Sequence, residues 1–211
     1  PDYLVISHLE PDHASNIKVV SEKYPSMKLV GNAKTFSMLP QFFPDFDFAD
    51  KTVTVKEGDE LELGSHKLTF IMAPMVHWPE VMVSYESAEK VLFSADGFGT
   101  FGALDAQEDD WACEARRYYF NICGKYGVQV QNLLKKAAKL DIQKICPLHG
   151  PILDENLCWY IGLYDTWSKY EPETDGVFIA YCSVHGNTAK AAEKLCEIIK
   201  SKTDKKVSIA D

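Results

Sequence analysis

Within six positions the chain places four metal-capable side chains, His8, Glu10, Asp12 and His13, directly after the apolar run Tyr3-Leu4-Val5-Ile6. A short run rich in β-branched and aromatic residues is a strand. Carboxylates crowded this closely strain one another by like charge unless cations lie between them. The motif therefore demands a fold that ends a strand in a loop aimed at metal, and requires the rest of the chain to return further ligands to that point.

Three later loops offer them. His77 lies in Ala73-Pro74-Met75-Val76-His77-Trp78-Pro79, Asp96 in Leu92-Phe93-Ser94-Ala95-Asp96-Gly97, and His149 in Pro147-Leu148-His149-Gly150-Pro151. Each follows a strand candidate, and Asp96 can bridge two metals through its two oxygens. Four imidazoles and three carboxylates without thiolate suit iron or manganese at least as well as zinc. Trp78 reads as a packing residue beside the site, and His66, next to Gly64 and Ser65, as a solvated turn histidine.

The first 170 residues alternate strand signals with loops. Lys28–Val30, Thr52–Val55, Glu60–Leu63, Lys67–Met72, Val81–Tyr85 and Lys90–Phe93 are strand candidates, while His13–Tyr24 and Ala33–Leu39 read as helices. Helical periodicity runs from Gln107 to Leu140 with a break near Gly124 or Gly127. A strand at Gln143–Cys146 and a helix from about Glu155 to Lys169 follow. Residues 171–176 are polar, contain Pro172 and read as a linker. Residues 177–211 begin a new unit: strand Val177–Tyr181, a tight loop, helix Thr188–Ile199 and a second strand. In that loop, Ser183, Val184, His185, Gly186, Asn187 and Thr188 bring hydroxyls and backbone N–H groups to a helix N-terminus, a cradle for phosphate.

Net charge is −9 from 22 basic and 31 acidic residues, which repels nucleic acid and anionic membranes. Six cysteines without a CxxC pair argue against zinc ribbons and disulfide frameworks, and read as reduced thiols of a cytoplasmic protein. No apolar stretch reaches the roughly 18 residues of a membrane span. Starting without methionine inside one strand and stopping inside another, the sequence reads as an internal fragment of a longer chain.

The His8–His13 spacing resembles the HxHxDH motif of the metallo-β-lactamase fold, with Glu10 where the middle histidine would stand. Together with His77-Trp78-Pro79-Glu80-Val81-Met82, the run Phe93 to Leu104, and Pro147 to Pro151, it closely resembles the flavodiiron proteins, also called A-type flavoproteins. The resemblance implies an α/β chain: a metallo-β-lactamase-like αββα sandwich lacking its N-terminal strands, followed by the first βαβ portion of a flavodoxin-like doubly wound domain. It implies two non-haem irons, one held by His8, Glu10, His77 and bridging Asp96, the other by Asp12, His13, Asp96 and His149. It also implies FMN in the parent protein at the Ser183–Thr188 loop. The implied activity is reduction of O2 to water, of NO to N2O, or both. The implied partners are a separate donor such as rubredoxin or a flavin reductase, and a second copy in a head-to-tail homodimer. After Asp175 there are 36 residues, room for two of the five strands such a flavin domain needs.

Two other classes fit parts of the pattern. A dizinc hydrolase of the thioesterase or glyoxalase type would use a metal-bound hydroxide, but Glu10 and the trailing phosphate loop speak against it. A degenerate, metal-free binding module would not require seven intact ligand types.

Overall fold

The computed structural model describes residues 1–105 and 111–211; the start of the expected helical stretch, from Gln107 to Asp110, lies outside them. The chain divides into two compact units, Pro1–Tyr170 and Glu171–Asp211.

In the first unit the chain runs through β1 (Tyr3–Val5), α1 (Pro11–Ala14), α2 (Ile17–Lys23), β2 (Lys28–Asn32), α3 (Ala33–Phe42) and β3 (Thr52–Val55). It continues through β4 (Glu60–Leu63), β5 (His66–Met72), β6 (Met82–Glu86), β7 (Val91–Phe93), α4 (Trp111–Ile122), α5 (Gly127–Ala137), β8 (Lys144–Cys146) and α6 (Leu157–Ser168). The first three strands form a parallel sheet in the order β1-β2-β3, and the other five a mixed sheet in the order β4-β5-β6-β7-β8.

Side-chain alternation explains how the layers stack. Strand β6 is buried along its whole length, with Val83 and Tyr85 on one face and Met82 on the other. Met82 joins Phe70 and Leu68 of β5 and meets Val30 and Val55 of β2 and β3, so the two sheets pack face to face. Val83, Tyr85 and Ile71 pack under Tyr119 of α4, Val130 of α5 and Trp167 of α6. On the far side, Leu29 of β2 and Ile6, just past β1, pack under Ile17 and Leu39 of α2 and α3. The order is helices, sheet, sheet, helices. Each fully buried Leu, Phe or Met contributes about 2–3 kcal/mol, and Phe70, Leu29 and Met82 are all at most 1% exposed.

Three local expectations change. The single helix expected over His13–Tyr24 is two, α1 and α2, broken at Ser15 and Asn16. Pro11 opens a turn that carries Asp12 and His13, whereas burial of Ile17 orients the next. Helix α3 runs past Leu39 through Pro40 to Phe42; the Phe43 N–H still donates to the Leu39 carbonyl, and Phe42 and Phe43 pack on the adjoining core. His66, expected as a solvated turn histidine, lies in a strand instead of the turn. It opens β5, its side chain still 44% exposed, with Nδ1 3.2 Å from Glu86 Oε1.

The second unit is a parallel pair, β9 (Gly176–Ala180) and β10 (Lys206–Ala210), connected through α7 (Asn187–Lys200). This is one βαβ crossover of the doubly wound kind. Gly176, expected in the linker, is instead the first residue of β9; a Cβ there would meet the Lys206 carbonyl oxygen at 2.8 Å.

Candidate metal centre

All four ligand-bearing loops leave the ends of strands: His8 follows β1, His77 follows β5, Asp96 follows β7 and His149 follows β8. Hydrogen bonds between backbones lock them together. Met82 N–H donates to the Ser7 carbonyl, Ser94 N–H to that of Cys146, and Leu148 N–H to that of Ala95. The loop carrying Asp96 is folded back on itself: the Ser94 hydroxyl donates to the Gly97 carbonyl at 2.6 Å and Gly99 N–H to the Asp96 carbonyl. Ala95 and Phe98 take left-handed conformations there, and the Phe98 N–H is held at 2.7 Å by the hydroxyl oxygen of Tyr164.

The structure brings together all seven residues singled out in the sequence, in two groups. In the first, His77 Nε2 is 2.9 Å from Glu10 Oε2 and 3.0 Å from Asp96 Oδ2, and His8 Nε2 is 3.4 and 3.2 Å from the same two oxygens. In the second, Asp12 Oδ2 lies 3.4 Å from His13 Nε2 and 3.2 Å from His149 Nε2. Asp96 belongs to both: its Oδ1 faces His13 Nε2 at 3.3 Å and His149 Nε2 at 3.8 Å.

Burial and charge oppose each other here. Asp96 is 1% exposed; burial pushes its carboxyl up, but the hydrogen bond to His77 and the neighbouring His8 and His13 outweigh that and hold it far below the usual carboxylate range. For His77, burial lowers the imidazole, while Asp96 and Glu10 together raise it above its ordinary value. His13 stays below its ordinary value, because burial, joined by His8 and His149, outweighs the attraction of Asp96 and Asp12. Among the described residues His8 Nε2 and Asp96 Oδ1 are buried without a hydrogen-bond partner.

Sequence reasoning missed several residues that shape this site. Asn32 was not singled out, although an Asn directly before a helix is a cap signal; its Oδ1 accepts from Lys34 and Thr35 N–H, and its Nδ2 donates to the Glu80 carbonyl at 2.6 Å. Glu80 stood within the His77–Met82 motif but nothing local marked its contact with Leu9, and Tyr164 carried no local signal. Trp78 packs as expected, edge-on to His8 with ring centroids 6.5 Å apart.

In the second unit the Ser183–Thr188 loop joins β9 to α7. Gly186 has φ +80°, and nothing lies within 4 Å of where a Cβ would stand. The Ser183 hydroxyl is buried without a partner among the described residues.

The model for the ODP family beta lactamase matches residues 2–150. The chain belongs to this ODP family, the beta-lactamase-like domain of flavodiiron proteins. Flavodiiron proteins carry a non-haem diiron site and FMN. Among solved flavodiiron structures, rubredoxin:oxygen oxidoreductase from Desulfovibrio gigas superposes with a TM-score of 0.88 at 30% identity, covering 99% of this chain and 54% of that one. The flavodiiron protein from Giardia intestinalis gives 0.88 at 27% identity, covering 99% and 52%. A nitric oxide reductase from Moorella thermoacetica is 32% identical over 203 residues, 93% of this chain and 50% of the relative. Diflavin flavoprotein A 1 from Synechocystis sp. is 30% identical over 217 residues, 100% and 37%. The chain thus spans half or less of the length of these curated relatives.

Proposed function

We propose that the protein this chain represents is a flavodiiron oxidoreductase that reduces O2 to water, NO to N2O, or both. The observation that carries the reading is Asp96, whose Oδ2 faces His8 and His77 while its Oδ1 faces His13. One buried carboxylate shared between two ligand groups is the arrangement a metal pair requires. His8, Glu10, His77 and Asp96 would hold one iron; Asp12, His13, Asp96 and His149 the other.

The donor set fits the group. Buried atoms without hydrogen-bond partners, His8 Nε2 in the first group and Asp96 Oδ1 facing the second, each cost about 1–3 kcal/mol, and a cation in each group would remove that cost. Glu10 supplies a carboxylate oxygen within 2.9 Å of His77 Nε2, and the extra negative charge favours an oxidisable iron over hydrolytic zinc. When bound, the iron pair supplies two electrons and reduced FMN two more, which together with four protons convert one O2 to two waters. Reducing two NO to N2O and water takes two electrons and two protons. The residues of this chain hold the metals and keep the imidazoles in register.

The Ser183–Thr188 loop fits the FMN phosphate, with the buried Ser183 hydroxyl and the open space at Gly186 as its support. We read residues 1–170 as the diiron domain, 171–175 as the linker and 176–211 as the start of the flavin domain. A rubredoxin or a flavin reductase would supply electrons. A head-to-tail homodimer would set the flavin of one subunit against the metals of the other. No helix among the described residues is long and apolar enough to cross a membrane, and the free thiols suit a cytoplasmic location.

The decisive experiment measures anaerobic O2 and NO consumption by the full-length protein, with iron and FMN counted on the same sample. Zinc in place of iron, together with thioester hydrolysis, would overturn the reading.

A further inference from the structure

We infer that Glu80 is a positioning residue for the first iron. It holds the His8–Glu10 loop against the His77 loop through the backbone N–H of Leu9; the inference rests on the metal reading above. Leu9 lies between two ligands, and its side chain is fully buried in the core under α2 and α3. Its N–H donates to Glu80 Oε1 at 2.8 Å. Glu80 stands three residues after His77, so one side chain joins two loops separated by 71 positions.

Glu80 is itself rigidly mounted. The loop behind it is closed by the Ala73 N–H to the Val81 carbonyl, the Met75 N–H to the Trp78 carbonyl and the Val81 N–H to the Trp78 carbonyl. Its own carbonyl accepts from Asn32 Nδ2 at 2.6 Å, anchoring it to the start of α3. The side chain is 1% exposed, and its Oε2 has no hydrogen-bond partner among the described residues. A half-satisfied buried carboxylate is a costly way to accept a single N–H. Its location is the informative part: fixing the Leu9 peptide fixes where the flanking His8 and Glu10 side chains leave the backbone. Metal sites lose affinity when such outer supports are removed, although the ligands themselves are intact.

The test uses the whole chain reconstituted anaerobically with Fe(II), comparing wild type with Glu80→Gln and Glu80→Leu. Gln keeps an acceptor oxygen in place; Leu keeps the volume without one. The expected result for Glu80→Leu is a loss of iron affinity at the first site of about 10- to 100-fold and an altered EPR signal of the mixed-valent pair. Glu80→Gln should stay close to wild type in both. Wild-type affinity and spectrum in Glu80→Leu, or an equal loss in Glu80→Gln, would overturn the assignment. If Glu80→Leu does not fold, Glu80→Asp replaces it: a carboxylate one methylene short should weaken iron binding in a chain whose near-UV circular dichroism is unchanged, and wild-type affinity would overturn the role. Wild-type chain that takes up no iron overturns the metal reading, and this inference with it.

Discussion

His13 and His149 bring their Nε2 atoms within 3.1 Å of each other across 136 residues of sequence. Two imidazole nitrogens this close need either a proton or a cation between them. Burial holds His13 below its ordinary pKa, which keeps the ring neutral, so its Nε2 lone pair is available to a metal in place of the N–H that would otherwise join the two rings.

Metal stoichiometry should therefore divide by residue. Asp96→Asn, which weakens the carboxylate serving both groups, is expected to leave less than one iron per chain. His149→Ala should retain the first site and lose the second. Elemental analysis after gel filtration reads both, and two irons on Asp96→Asn would contradict the bridging role.

Gly150 follows His149 with φ +88°, and a Cβ there would meet Thr100 Oγ1 at 2.3 Å. Gly150→Ala is expected to cost about 1–3 kcal/mol from the left-handed backbone alone and to displace His149 from Asp12. Adding Thr100→Ala removes the closest contact but leaves the Thr100 N at 3.1 Å and Cβ at 3.3 Å together with the conformational strain, so it should restore only part of the thermal stability. Full recovery in the double variant would show that neither the backbone angle nor these contacts matter.

Tyr164 supports Asp96 from the helical layer. Burial pushes its hydroxyl far above the ordinary tyrosine value, so it stays neutral while its oxygen accepts the Phe98 N–H. Tyr164→Phe leaves that N–H without its acceptor, at a cost of about 1–3 kcal/mol. Denaturant unfolding should report this loss, accompanied by weaker iron retention because Phe98 lies two residues from Asp96.

Glu86 gives a pH dependence away from the metals. Its carboxylate accepts the N–H groups of Glu89 and Ala88, and together with His66 these outweigh burial and hold it below the ordinary 4.5. A depressed folded pKa means stability that is present above 4.5 and is lost as the pH falls through the folded value. Glu86→Gln should therefore lower the melting temperature at neutral pH, and the gap from wild type should close on acidification. A gap that is constant with pH would assign the effect to packing.

Much of the site was legible because its chemistry is local. A strand end bearing His8, Glu10, Asp12 and His13 announces ligands by residue type, and His77, Asp96 and His149 each follow an apolar run of the right length. Thr52–Val55 and Glu60–Leu63 matched their strands residue for residue, since short alternating runs between turns have few other uses. The helix expected over His13–Tyr24 failed for the opposite reason. Its first turn follows the ligand loop and its second follows burial of Ile17, and periodicity alone cannot weigh the two.

The sequence by itself determined which donors exist, how many there are and that they leave strand ends, because residue type and strand period are properties of neighbours. The tertiary structure alone decided which oxygen of Asp96 faces which group, and that Glu80, Asn32 and Tyr164 brace the loops. Those contacts span tens of residues, 71 between Leu9 and Glu80 and more between His8 and Asp96, and exist only once the packed sheets bring separate strand ends to one edge.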